Sequence, residues 1–147
     1  MASTSQLDTL ISLAAKKTDD AAKRLGLAIR SGQDAEQKLA LLHQYRDDYA
    51  ARFESTRSTG VSIMMHHNYQ VFLGKLDSAI IGQQLIVENE HRRIADSRAA
   101  WQENERKKMS YTTLSQRAQK EAQQLESKRD QKLMDEHAAR LRTYKRS

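Results

Sequence analysis

A chain of 147 residues with no proline, 5 glycines, 30% charged residues and only 8 aromatic rings (2 Phe, 5 Tyr, 1 Trp) carries few turn signals and little bulk for a compact core. Zero cysteines exclude disulfide frameworks, zinc ribbons and thiol catalysis. A mean hydropathy of −0.82, with 38% apolar residues rich in alanine and leucine, belongs to long helices and coiled coils.

The opening MASTSQLDTLISL lacks a basic n-region and a continuous apolar stretch. No segment approaches the roughly 20 apolar residues that span a bilayer. A cytoplasmic placement is therefore expected. Net charge is +6. Residues 1–57 hold 9 basic and 8 acidic groups, 58–100 hold 4 of each, and 101–147 hold 12 and 7. The excess lies in the last third, and the tail RLRTYKRS (140–147) has four cations and no anion. A partner with a negative surface would meet this end first.

Leu7, Ile11, Ala14, Thr18, Ala21, Leu25, Ala28, Gly32, Ala35, Leu39, Leu42, Arg46, Tyr49 and Phe53 alternate at spacings of four and three. Apolar residues hold 11 of these 14 positions, a heptad seam. Many are alanines, which let a partner helix approach closely but bury less area per contact than leucine. This predicts helix 1 over about 7–57. Hydroxyl residues and Gly60 then break the pattern, which predicts a reversal over about 58–67. The period returns with Leu73, Ile80, Val87, Ile94 and Trp101 at intervals of seven, while Phe72, Leu76 and Ala79 widen the stripe. Helix 2 is predicted over about 68–142.

The fold class is thus all-α, one antiparallel two-helix coiled-coil hairpin over 1–147. Its helices would run roughly 75 and 110 Å at 1.5 Å per residue, so the C-terminal one overhangs. With the reversal near residue 62, Leu7 falls opposite about residue 117. The remaining stretch keeps a face at Leu114, Ala118, Ala122 and Leu125, then Lys128, Arg129 and Lys132 interrupt it before Leu133, Met134 and Leu141. A helix without packing is marginal, so this segment is expected to fray alone and order on a partner. Glycines 26, 32, 74 and 82 sit inside the predicted helices, at about 1 kcal/mol each against alanine. They are read as sites of close helix approach or a gentle bend.

Catalytic patterns are absent: no glycine-rich phosphate loop, no nucleophile turn, no His-Glu-x-x-His. No enzyme activity and no cofactor are expected. His66 and His67 follow Met64 and Met65 at the reversal, but adjacent residues diverge on a helix and no carboxylate cluster supports them. No metal is expected, and the methionines are read as covering the end of the seam. The basic tail suggests phosphate binding, yet Glu121, Glu126, Asp130, Asp135 and Glu136 dilute it and no aromatics interleave for base stacking. Near the reversal, Lys38, Leu42, Tyr45 and Tyr49 recur on helix 1, and Phe72, Leu76, Ala79 and Gln83 on helix 2. Tyr45 lies off the seam. This surface either faces a partner or thickens the seam.

Several features together resemble the flagellar FliJ family, small coiled-coil components of the flagellar type III secretion apparatus. They are the LeuAlaAlaLysLys start, AspAspAlaAla at 19–22, the Leu42, Tyr45, Tyr49 face, AsnTyrGln-x-Phe at 68–72, and AspGlnLys-x-MetAspGlu-x-Ala at 130–138. The resemblance implies a cytoplasmic coiled coil that enters the ring of the flagellar export ATPase, contacts the cytoplasmic domain of the export gate protein FlhA and escorts export chaperones. Association with the inner membrane would be peripheral, through partners only. It implies a gate-binding surface of Leu42, Tyr45, Tyr49, Phe72, Leu76 and Ala79, with Lys38 and Gln83 departing from the commoner glutamine and histidine. It also implies an ATPase-binding set of Leu125, Asp130, Gln131, Lys132, Met134, Asp135, Glu136 and Ala138. The expected role is a non-enzymatic stalk that promotes ATPase ring assembly and couples it to the gate. The alternative from charge alone is a basic coiled coil that binds nucleic acid, whose affinity would fall steeply with salt.

Overall fold

With no proline to interrupt them, both heptad segments run as unbroken helices. The computed structural model describes residues 4–146 and contains α1 (Thr4–Arg57, 54 residues) and α2 (Ile63–Arg146, 84 residues), packed against each other as an antiparallel hairpin. No strand occurs among the described residues. Residues 1–3 and 147, included in the expected domain and tail, lie outside the described residues.

The reversal is shorter than the 58–67 read from the sequence, because Ser62 caps α2. Its Oγ accepts the Met65 N–H at 3.2 Å and its carbonyl accepts the His66 N–H at 3.0 Å, so helix begins at Ile63 and not near 68. The serines and threonines before it do not end α1 early. Thr56 Oγ1 donates back to the Arg52 carbonyl at 2.9 Å, and Ser58 Oγ to Ser55 at 2.7 Å. The last turn tightens as the Thr59 and Gly60 N–H groups reach the Thr56 and Arg57 carbonyls at 3.1 and 3.2 Å. Gly60 then takes φ 100°, a backbone state that a Cβ penalises. Gly60→Ala should lower stability by about 1 kcal/mol, read as a reduced midpoint of chemical denaturation.

The chain forms two compact units. In the unit Asp19–Gln102, every expected seam position of α1 from Ala21 to Phe53 is buried or half-buried, and Ala28 has no exposed surface at all. The facing stripe of α2 is Tyr69, Leu73, Leu76, Ile80, Gln83, Val87, Glu90, Ile94, Ser97 and Trp101, again four and three apart. Three polar contacts cross between the helices in this register. Arg46 pairs with Asp77, Gln83 Nε2 donates to the Ala35 carbonyl at 2.9 Å, and His91 Nε2 lies 2.7 Å from Glu36 Oε1. Alanine at Ala21, Ala28 and Ala35 narrows the seam here. At Gly32 a Cβ would stand 2.8 Å from Ile94 Cδ1, whereas one at Gly26, Gly74 or Gly82 would meet nothing. Close approach thus explains Gly32 alone of the four helical glycines.

The second unit joins the start of α1 to residues 103–146 of α2. Leu7, Ala14 and Thr18 are buried, and the α2 stripe continues through Asn104, Lys108, Tyr111, Ser115 and Ala118. There it stops. From 119 to 146 every side chain is exposed except the half-buried Ala138. α2 is helical to Arg146, four residues beyond the predicted end. Extending a formed helix avoids the nucleation cost, and no glycine follows Gly82.

Candidate functional site

Tyr49 and Phe53 lie one turn apart on α1, and Tyr69 and Phe72 lie three apart on α2, so their rings interleave where the helices meet. Phe53 stacks on Tyr69 with centroids 3.7 Å apart, Tyr69 on Tyr49 at 5.4 Å, and Tyr49 tilts against Phe72 at 4.5 Å. His66 adds a fifth ring, 5.7 Å from Phe53. This ladder closes the seam at the reversal. The methionines expected to do so do not: Met64 and Met65 are exposed, and with the helix beginning at Ile63 it is Tyr69 that turns inward.

Around the ladder the expected gate-binding residues divide in two. Leu42, Tyr49 and Leu76 are half-buried in the seam, while Tyr45 (58% exposed), Phe72 (43%) and Ala79 are exposed. Each of these exposed three precedes a seam residue by one position (Arg46, Leu73, Ile80), which in an antiparallel pair places them on one flank. The outward-facing reading therefore fits Tyr45, Phe72 and Ala79, and the seam-thickening reading fits the rest. Lys38 is exposed, and Gln83 spends its amide on the Ala35 carbonyl inside the seam. Beside the patch, the hydrogen bond and charge of Asp77 hold the Arg46 guanidinium above its ordinary range. A raised pKa adds stability that is present while the Asp77 carboxylate is ionised and fades only as pH climbs through the raised value, so the pair holds across the neutral range.

The expected ATPase-binding residues form a second group on the exposed part of α2. Leu125 (52% exposed), Asp130, Gln131, Lys132, Met134, Asp135 and Glu136 are all exposed, and Ala138 is half-buried. Gln123, Glu126, Ser127, Asp130, Gln131, Met134 and Asp135 line one shallow helical face. Eight cations and five anions occupy 119–146, and none of them forms an ion pair among the described residues. Apolar side chains among unpaired charges suit a partner that supplies both packing and counter-charge.

The sequence reading missed Tyr69, although it stands four before Leu73 in the continuing stripe. It gave no role to Arg52, read Met65 only as covering the end of the seam and Asn68 only within the family motif, whereas these three with Tyr49, Phe53, Thr56 and Tyr69 line a cleft of about 270 Å³ on the flank of the ladder. Nothing in a single heptad pattern marks a cleft, because it depends on which residues the two helices bring level. No group of three or more His, Asp or Glu side chains is arranged to hold a metal among the described residues. No helix there is long and apolar enough to cross a membrane.

Residues 3–147 match the family described as Flagellar FliJ protein. Two curated relatives carry that same description, one from Salmonella typhi and one from Escherichia coli (strain K12). Each is 33% identical over 140 residues, covering 95% of this chain and 95% of the relative.

Proposed function

Because the chain belongs to the flagellar FliJ protein family and so serves flagellar protein export, we propose that it acts there as a non-enzymatic coupling stalk. In this reading the C-terminal part of α2 enters the ring of the export ATPase and promotes its assembly. The surface around Tyr45, Phe72 and Ala79 binds the cytoplasmic domain of the export gate. Export chaperones are escorted along the same route, at the cytoplasmic face of the inner membrane, where the chain is held by its partners.

The observation that carries this reading is the stretch 119–146, helical and exposed beyond the end of the buried stripe of α2. A single helix can enter a pore that a globular domain cannot, and its unpaired charges await a counter-surface. Contact energy in such an interface concentrates in a few residues, with Leu125 and Met134 as the apolar anchors.

Truncation after Ser127 should abolish stimulation of ATPase ring assembly while circular dichroism still reports the hairpin as helical. Full stimulation by the truncated chain would overturn the ring assignment. Separately, Tyr45→Ala with Phe72→Ala should weaken gate binding by about tenfold or more, as loss of two aromatic contacts does. Unchanged affinity would remove the gate-binding surface and leave the ring assignment standing.

A further inference from the structure

The cleft on the flank of the aromatic ladder adds Arg52, Thr56, Met65 and Asn68, which neither the seam nor the proposed stalk role uses, to rings of the ladder itself. Its walls are apolar: the stacked rings of Phe53 and Tyr69, the ring of Tyr49 and the side chain of Met65. Thr56, Arg52 and Asn68 also line it, the last two offering hydrogen-bond donors. No carboxylate lines it. Arg52 forms no ion pair among the described residues, and the nearby Glu54 is turned to Arg57 at 3.9 Å. About 270 Å³ is room for one aromatic or large aliphatic side chain.

We propose that this cleft seats one apolar side chain of a partner polypeptide, with a neighbouring carboxylate of the same segment held by Arg52 and Asn68. The rings and Met65 supply the apolar surface that such an anchor needs, and the guanidinium fork matches a carboxylate in plane. Charge decides the class of occupant. One cation with one amide suits a monoanionic carboxylate, whereas a nucleotide would bring a phosphate dianion that no second cation in the cleft answers. Arg52 and Met65 hold the same heptad position as Tyr45 and Phe72, so the cleft continues the flank of the gate-binding surface, but the inference does not depend on that assignment.

The test is a titration of the isotope-labelled full chain with indole-3-acetate, a ring joined to a carboxylate, followed by NMR. Shifts should concentrate at residues 49–56 and 65–69, at the Arg52 and Asn68 side chains, and saturate at a dissociation constant on the order of millimolar. Arg52→Gln, a surface change that leaves the ladder intact, should weaken binding by about two- to fivefold, the range of an exposed ion pair. The neutral analogue indole-3-ethanol should bind as weakly to the unaltered chain. Shifts spread over the whole surface, equal binding by the Arg52→Gln chain, equal response to acetate alone, or tighter binding of adenosine 5′-monophosphate would each overturn the proposal. Localised probe binding in a chain that shows no affinity for the gate domain would support the cleft and remove the gate assignment.

Discussion

Tyr69→Ala should destabilise the protein by about 2–3 kcal/mol, below the cost of removing a fully buried large ring because this one is half-buried. Tyr69 is the middle rung of the ladder, stacked on Phe53 on one side and Tyr49 on the other, so its loss leaves both without their neighbour. Aromatic pairs add about 0.5–1.5 kcal/mol beyond the area they bury. Tyr69→Phe keeps both stacks and should fall within about 0.5 kcal/mol of the unaltered chain. Chemical denaturation reads the difference, and hydrogen exchange should show protection lost first at residues 50–72. A cost under about 1 kcal/mol for the alanine variant would mean that the closed end of the hairpin is held by something other than its rings.

Combining Gly26→Ala, Gly74→Ala and Gly82→Ala should raise stability by about 2–3 kcal/mol, since alanine favours a helix interior by about 1 kcal/mol at each site. All three new methyl groups would project into open space. Gly32→Ala is the informative contrast. Its methyl would meet Ile94 Cδ1 at 2.8 Å, so the same gain is offset by a displaced rotamer costing about 0.5–1.5 kcal/mol. Thermal and denaturant midpoints of the four variants should separate the three open glycines from the enclosed one. If the triple variant gains nothing, those glycines have a role in the helices that packing within this chain does not reveal.

These two results bear on how the two faces of each helix differ. A face set by the heptad is closed and tolerates little change, as Ala28 and Gly32 illustrate. Outward positions are open to substitution, and a partner can use them. The cleft at Arg52 and the exposed surface of residues 119–146 both belong to the outward class, and for that reason neither leaves a periodic signature in the chain.

Heptad spacing alone was enough to place the α1 seam from Leu7 to Phe53, because a period near 3.5 residues forces one face of each helix inward wherever a partner exists; the break in that period at Gly60 marked the reversal, though over a longer stretch than the structure shows. It also located the surplus of α2: the estimate that Leu7 faces about residue 117 agrees with a buried stripe that ends at Ala118. The start of α2 at Ile63 was written in the sequence too, in a serine just before an apolar run, but the hydroxyl-rich stretch around it hid that cap. The interleaving of Phe53, Tyr69, Tyr49 and Phe72, the enclosure of Gly32 beside three open glycines, and the cleft at Arg52 came only with the folded pair. Periodicity states which residues turn inward. Which ones end up level with each other depends on how far one helix is shifted along the other, and that shift is a property of the packed pair, seen in the stacked rings and in the close approach of Ile94 to Gly32, that the spacing within one helix does not carry.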